Sequence, residues 1–137
     1  MNTGLPNGIN LSPEEVRAYT GLIVAQRLAH ETATNAGWYT DPATGRPIQR
    51  NIGEVIALMH SELSEALEAA RKDLKDDKLP HRPGIEVEFA DCVIRIFDTC
   101  AALGLDLAGA IIEKNRFNRT REDHKLANRQ AAGGKKF

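Results

Sequence analysis

Two acidic pairs stand out by residue type and spacing: Glu62-Leu-Ser-Glu65 and Glu88-Phe-Ala-Asp91. Each sets its carboxylates three residues apart inside an apolar repeat of helical period. Side chains three apart on a helix lie on the same side, roughly 60° apart. The two pairs sit on consecutive helical segments separated by a break at Leu79-Pro80-His81-Arg82-Pro83-Gly84. A short break between long helices usually makes an antiparallel hairpin, in which the two pairs can face each other. Four carboxylates brought together would repel and raise one another's pKa values. A hard divalent cation resolves that conflict: Mg²⁺, with Mn²⁺ the other candidate.

A basic stretch, Lys114-Asn-Arg-Phe-Asn118-Arg-Thr-Arg121, supplies the complementary chemistry. Acids that bind a metal, and a metal that binds phosphate oxygens, leave Lys114, Asn118 and Arg121 to add charge and donors to the phosphates. A metal-activated water then attacks phosphorus, which is metal-assisted hydrolysis of a phosphoanhydride. No Gly-rich loop with a following Lys-Ser/Thr opens a helix, so a P-loop NTPase is excluded. Trp38, the only tryptophan, lies on a loop where it can stack on a nucleobase; the competing expectation is that it caps the hydrophobic core.

The elements that must position these residues read as helices. Ser12-Pro13-Glu14-Glu15 is a helix start, with Ser12 as N-cap, Pro13 in the first position and Glu15 closing a capping box. This first helix runs to about Asn35, with Val16, Tyr19, Leu22, Ile23, Ala25, Ala29 and Ala33 as its apolar side and Gly37 past its end. Residues 38–50 form a loop rich in turn formers. The second helix covers about Ile52 to Leu74, with Ile52, Val55, Ile56, Met59, Leu63, Ala66, Leu67 and Ala70 as its stripe. Glu62 sits on the shoulder of that stripe and Glu65 further round; Glu54 and Glu68 fall on the solvated side. Lys72 to Lys78 is a charge run that frays into solvent. The third helix begins near Gly84 and ends at Leu103-Gly104, with a core stripe of Phe89, Cys92, Val93, Ile96, Phe97, Cys100 and Leu103. Glu88 and Asp91 share one edge of it, with Arg95 one turn on. The fourth runs from about Asp106 to Asn118. No stretch reads as strand. The expected fold is an all-α bundle of about four helices in a single domain over 1–137, with flexible ends at about 1–11 and 122–137.

Composition agrees with a globular domain. The chain has 137 residues, 42% apolar and 27% charged, with net charge −1. That balance argues against nonspecific binding to nucleic acid or membrane. The sequence shows neither a signal peptide nor an apolar run of the roughly 20 residues that span a bilayer. Cys92 and Cys100 lie over two helical turns apart, too far for a disulfide. Reduced cysteines favour the cytoplasm.

With these motifs in view, the sequence resembles the MazG-like, all-α nucleoside triphosphate pyrophosphohydrolases. The similarity rests on His60-Ser-Glu-Leu-Ser-Glu-Ala-Leu-Glu68, Ile85-Glu-Val-Glu-Phe-Ala-Asp-Cys-Val-Ile94 and Lys114 to Arg121. It covers residues 37–122 and extends to the closing Gly133-Gly-Lys-Lys-Phe137. The resemblance implies Mg²⁺-dependent hydrolysis of an NTP or dNTP to the monophosphate and pyrophosphate, as nucleotide-pool house-cleaning. It implies Glu62, Glu65, Glu88 and Asp91 as metal ligands, with Glu62 or Glu65 as the catalytic base. Lys114, Asn118 and Arg121 would contact phosphate. It further implies a homodimer or homotetramer with sites near subunit contacts. One departure is Ser61, where many members carry a further Glu; this bears on how many metals bind and which group orients the water.

Two other classes compete. A carboxylate-bridged di-iron bundle needs Glu-x-x-His pairs, and neither acidic motif has a His three residues on; His60 reads as a polar helix residue. A non-catalytic helical interaction module would make both acidic pairs surface charge, with no dependence on Mg²⁺.

Overall fold

The structure is a computed structural model, and it describes Leu5 and residues 8–136. Among these residues the regular structure is entirely helical. It comprises α1 (Pro13–Asn35), α2 (Ile52–Lys72), α3 (Gly84–Ala102), α4 (Leu107–Thr120) and α5 (Leu126–Gln130), with a 3₁₀ turn at Glu122–His124. No described helix is long and apolar enough to cross a membrane. The contacts divide the chain into two compact units, Val24–Leu105, and Met1–Ile23 with Asp106–Phe137.

Within Val24–Leu105, α2 and α3 pack against each other. Asn51 starts α2: its side-chain oxygen accepts from the backbone N–H of Gly53 and Glu54 at 2.9 and 3.2 Å. That satisfies two donors the first turn leaves orphaned. Asp73 ends the helix in the left-handed conformation, φ 51°. The returning chain is tied where Gly84 N–H donates to the carbonyl of Leu74 at 2.8 Å. Ala69 faces Gly84, while Glu62 meets Arg95, so positions fall along α2 as they rise along α3: the hairpin is antiparallel, as the sequence predicts. Gly84 suits this close approach. A Cβ there would lie 3.1 Å from both the Ala69 Cβ and the Leu74 carbonyl oxygen.

The end of α1 carries the site loop. Trp38 N–H donates to Ala33 at 3.1 Å and Gly37 N–H to Thr34 at 3.0 Å, with Gly37 at φ 85°. This is a Schellman end, and it sets Trp38 immediately after the helix. Gly104 ends α3 in the same way, with Leu105 N–H donating to Cys100 at 2.9 Å.

In the other unit the capping box forms as expected. Ser12 N–H donates to Glu15 Oε2 at 2.8 Å and Glu15 N–H to Ser12 Oγ at 3.2 Å. Arg116 forks onto the same Glu15 at 2.7 and 2.5 Å and reaches the carbonyl of Asn10. The guanidinium and the cap hold the Glu15 carboxyl down at about 2. The expected lead-in over 1–11 lies partly outside the described residues, where Met1 to Gly4, Pro6 and Asn7 fall; of the rest, Leu5 is buried. The tail, which shows no periodicity in sequence, carries the 3₁₀ turn and α5. Phe137 lies outside the described residues.

Burial departs from the expected stripes. On α2 the buried residues are Val55, Glu62, Ala66 and Ala69, whereas Ile52, Ile56, Leu63 and Leu67 are exposed. On α3, Cys92 and Asp98 are buried, while Phe89, Val93 and Leu103 are exposed. Among the described residues no large side chain is fully buried. The hairpin closes on small residues because they let the backbones approach, leaving the bulky ones turned outward.

Candidate metal centre

Glu62, Glu65 and Glu88 converge. Each offers a carboxylate oxygen, and the three oxygens lie within 4.8 Å of one another. The helical offset places Glu62 and Glu65 on one side of α2, and the antiparallel register brings Glu88 of α3 opposite. Glu62 is 7% exposed, Glu88 is half-buried and Glu65 is exposed. The Glu88 carboxyl is pushed up, first by burial and then by the charges of Glu65, Glu62 and Asp91. Asp91 lies outside the 4.8 Å set. Its carboxyl is also pushed up, by burial and by Glu62, with Arg95 opposing. Of the four expected ligands, the structure assembles three around one point and sets the fourth one turn along α3. All three donors are carboxylate oxygens, the set that suits a hard cation. No histidine belongs to the cluster, and His60 is exposed, which removes the feature a di-iron site needs.

Arg95 closes the cleft on one side. Its Nε donates to Glu62 Oε1 at 2.6 Å. An isolated buried carboxylate costs several kcal/mol, and a charge-assisted hydrogen bond offsets part of that.

A cavity of about 510 Å³ adjoins the cleft, lined by Trp38, Leu58 and Ile94 on its apolar side and by Arg50, Asp91, Arg95 and Asp98 on its polar side. That volume is within the range of small-molecule sites. Trp38 is 62% exposed, so it does not cap the core as the bland expectation had it. The Arg50 guanidinium stands 5.8 Å from the centre of its ring.

Asp98 anchors this wall. It is 5% exposed, and its Oδ1 accepts from Tyr39 Oη and from His30 Nδ1, both at 2.8 Å. Arg50 Nη1 lies 3.8 Å from its other oxygen. The Tyr39 hydroxyl is pushed up to about 12, by burial first and then by the Asp98 carboxylate. One acid thus ties α1, the 38–50 loop and α3 together. Asp98 escaped the sequence reading, although a signal was there: it falls seven residues after Asp91, two turns along the same face.

The expected phosphate contacts belong to the other unit. Lys114 Nζ lies 4.7 Å from the centre of the Phe117 ring. Arg121 forks onto Asp123 at 2.9 and 2.6 Å. The amide oxygen of Asn118 is buried without a hydrogen-bond partner. Both cysteines are free, Cys92 buried and Cys100 half-buried.

No family model matches the chain, and no curated protein or solved structure matches it either.

Proposed function

We propose that the protein is a Mg²⁺-dependent hydrolase that cleaves nucleoside or deoxynucleoside triphosphates to the monophosphate and pyrophosphate. The observation that carries this reading is the convergence of three glutamates from two helices, one of them buried, beside a cavity with an exposed tryptophan. A cation held there would serve as Lewis acid and lower the pKa of a bound water. Glu62, Glu65 and Glu88 would hold it, with Asp91 the fourth carboxylate of the motif at the cavity edge. Glu62 or Glu65 would take the proton of the attacking water. Trp38 would stack on the base. Nucleotide-pool house-cleaning in the cytoplasm is the role this chemistry suits.

The same reading takes the chain to be a homodimer or homotetramer. Exposed Ile52, Ile56, Leu63, Leu67, Phe89 and Val93 support that, since apolar side chains in this number normally meet a partner. They also favour the second reading, a non-catalytic helical interaction module. One experiment separates the two. The purified protein is incubated with a panel of NTPs and dNTPs, in Mg²⁺ and in EDTA, and the products are resolved by anion exchange. Monophosphate plus pyrophosphate, formed only with metal, is the expected result. Diphosphate plus orthophosphate would keep the metal site but refute the cleavage position. No turnover by folded protein would favour the interaction module.

A further inference from the structure

The Arg95 side chain is 36% exposed and lines the cavity beside Asp91. Its one side-chain hydrogen bond runs from Nε to Glu62, and its charge also acts on Asp91. Among the described residues its two Nη groups have no hydrogen-bond partner. A guanidinium fixed at one nitrogen, with its remaining donors at a cavity wall, is prepared to fork onto phosphate oxygens. The acids beside it gather at a single position. A two-metal centre, with ions about 3.5–4 Å apart, needs carboxylates that bridge and further ligands for each ion. Here three carboxylate oxygens share one point, and Asp91 lies outside them. Glu62 Oε1 is already taken by Arg95. The Ser61 hydroxyl donates to the carbonyl of Leu58 at 2.7 Å.

We propose that Arg95 is the second cation of this site, built into the chain: the cleft takes one divalent metal, and the Arg95 guanidinium supplies the positive charge to the phosphates that a second metal would otherwise bring. Before substrate arrives, Arg95 is the internal counter-charge of Glu62. With substrate bound, its free Nη donors reach the phosphate chain while Nε continues to position Glu62. This rests on the metal-cleft reading above.

The idea carries an unusual sign. A residue that merely orients a ligand weakens metal binding when it is removed. A built-in cation competes with the metal, so its removal tightens metal binding while phosphate binding weakens. The full-length protein, stripped with EDTA, is titrated with Mn²⁺ alone by electron paramagnetic resonance, and with inorganic tripolyphosphate in Mg²⁺ by calorimetry. Wild type binds one Mn²⁺ per chain. Arg95→Gln binds it at least roughly tenfold more tightly, the effect of removing one positive charge beside a divalent ion even at water-like screening, and binds tripolyphosphate at least tenfold more weakly. Weaker Mn²⁺ binding by Arg95→Gln, or two Mn²⁺ in wild type, overturns the proposal and leaves the metal cleft standing. No Mn²⁺ in folded wild type removes the cleft reading and the proposal with it. Should Arg95→Gln fail to fold, Arg95→Lys decides. Unchanged Mn²⁺ affinity with at least threefold weaker tripolyphosphate binding supports the role; unchanged binding of both, or weaker Mn²⁺, overturns it.

Discussion

Asp98→Ala tests whether one buried carboxylate holds the wall of the cavity. The substitution removes the acceptor of two hydrogen bonds, from Tyr39 and His30, each 2.8 Å long. A hydrogen bond to a charged group contributes about 1.5–3 kcal/mol. Two of them set an upper figure of roughly 3–6 kcal/mol by the same measure. The His30 side chain is 33% exposed and Tyr39 half-buried, so both freed groups can turn to water. Halving the sum for that gives about 1.5–3 kcal/mol of lost stability. For a chain of this length that is a drop in Tm of roughly 5–12 °C. Tyr39→Phe removes one of the two bonds and should cost about a third as much. The double variant should lose less than the two singles together, because Tyr39 has no partner left to lose. Circular dichroism melts at one fixed concentration measure all three, since self-association would move Tm with concentration. The pH dependence adds a signed check. The Tyr39 hydroxyl titrates at about 12 in the fold and at about 10 when unfolded. Between those values the native state holds a proton the unfolded state has released, so stability falls as pH rises. The advantage of wild type over Tyr39→Phe should therefore be full below pH 10 and shrink from there to about 12. A Tm for Asp98→Ala within 2 °C of wild type would refute the anchoring argument.

Glu88→Gln removes one of the repelling acids. In EDTA it should melt about 2 °C above wild type, and its rate in Mg²⁺ should fall at least ~100-fold. Because the Glu88 carboxyl is pushed up, metal-free wild type should lose stability as pH rises above about 4.5; Glu88→Gln, which keeps the pushed-up Asp91, should lose less, and an identical pH profile would count against the cluster. Arg116→Met leaves Glu15 without its fork. With Glu15 near 2 in the fold, the stability gap between wild type and this variant should be present above pH 4.5 and close as pH falls toward 2, read by chemical denaturation at each pH. Leu67, 60% exposed on α2, should lie under a second copy; Leu67→Glu should then lower the mass seen by light scattering. A wild-type monomer at micromolar concentration would end that expectation.

Helix ends were the most legible part of the chain because they depend on local chemistry. Ser12 and Glu15 cap α1 reciprocally, and Gly37 and Gly104 supply the positive φ that their helix ends require. The tail helix was invisible, since five residues cannot show a period. Burial was legible only in part. Ile52, Ile56, Leu63 and Leu67 have the spacing of a core stripe, yet α2 turns Val55, Glu62, Ala66 and Ala69 inward instead. Hydrophobic period identifies an apolar face but not what covers it. Close helix approach is decided by size, and Ala66, Ala69 and Gly84 win that contest. The acidic pairs were legible as motifs, and the hairpin register then explains why Glu88 joins Glu62 and Glu65. Asp98 with His30 and Tyr39 was not, because Asp98 stands 68 and 59 residues from its two partners and shares no local pattern with them.

The distinction between a metal cleft and mere surface charge comes down to three glutamates on one helix. Glu54 and Glu68 are exposed, and Glu68 pairs with Lys72 along the helix surface. A surface ion pair of that kind contributes little, and its loss would be hard to detect. Glu62 has the same side chain on the same helix, yet it is buried against α3 with Glu88 opposite it. Replacing Glu62 by an apolar residue would relieve a desolvation cost of several kcal/mol at no loss of helix propensity. Arg95 offsets part of that cost, and the Glu88 and Asp91 carboxyls beside it are pushed up first by burial and then by their acidic neighbours. A fold that only needed a helical hairpin would close on Leu or Ala at position 62. A cation at the proposed centre would relieve that cost, and this is the physical reason to look for chemistry at Glu62 and not at its exposed neighbours.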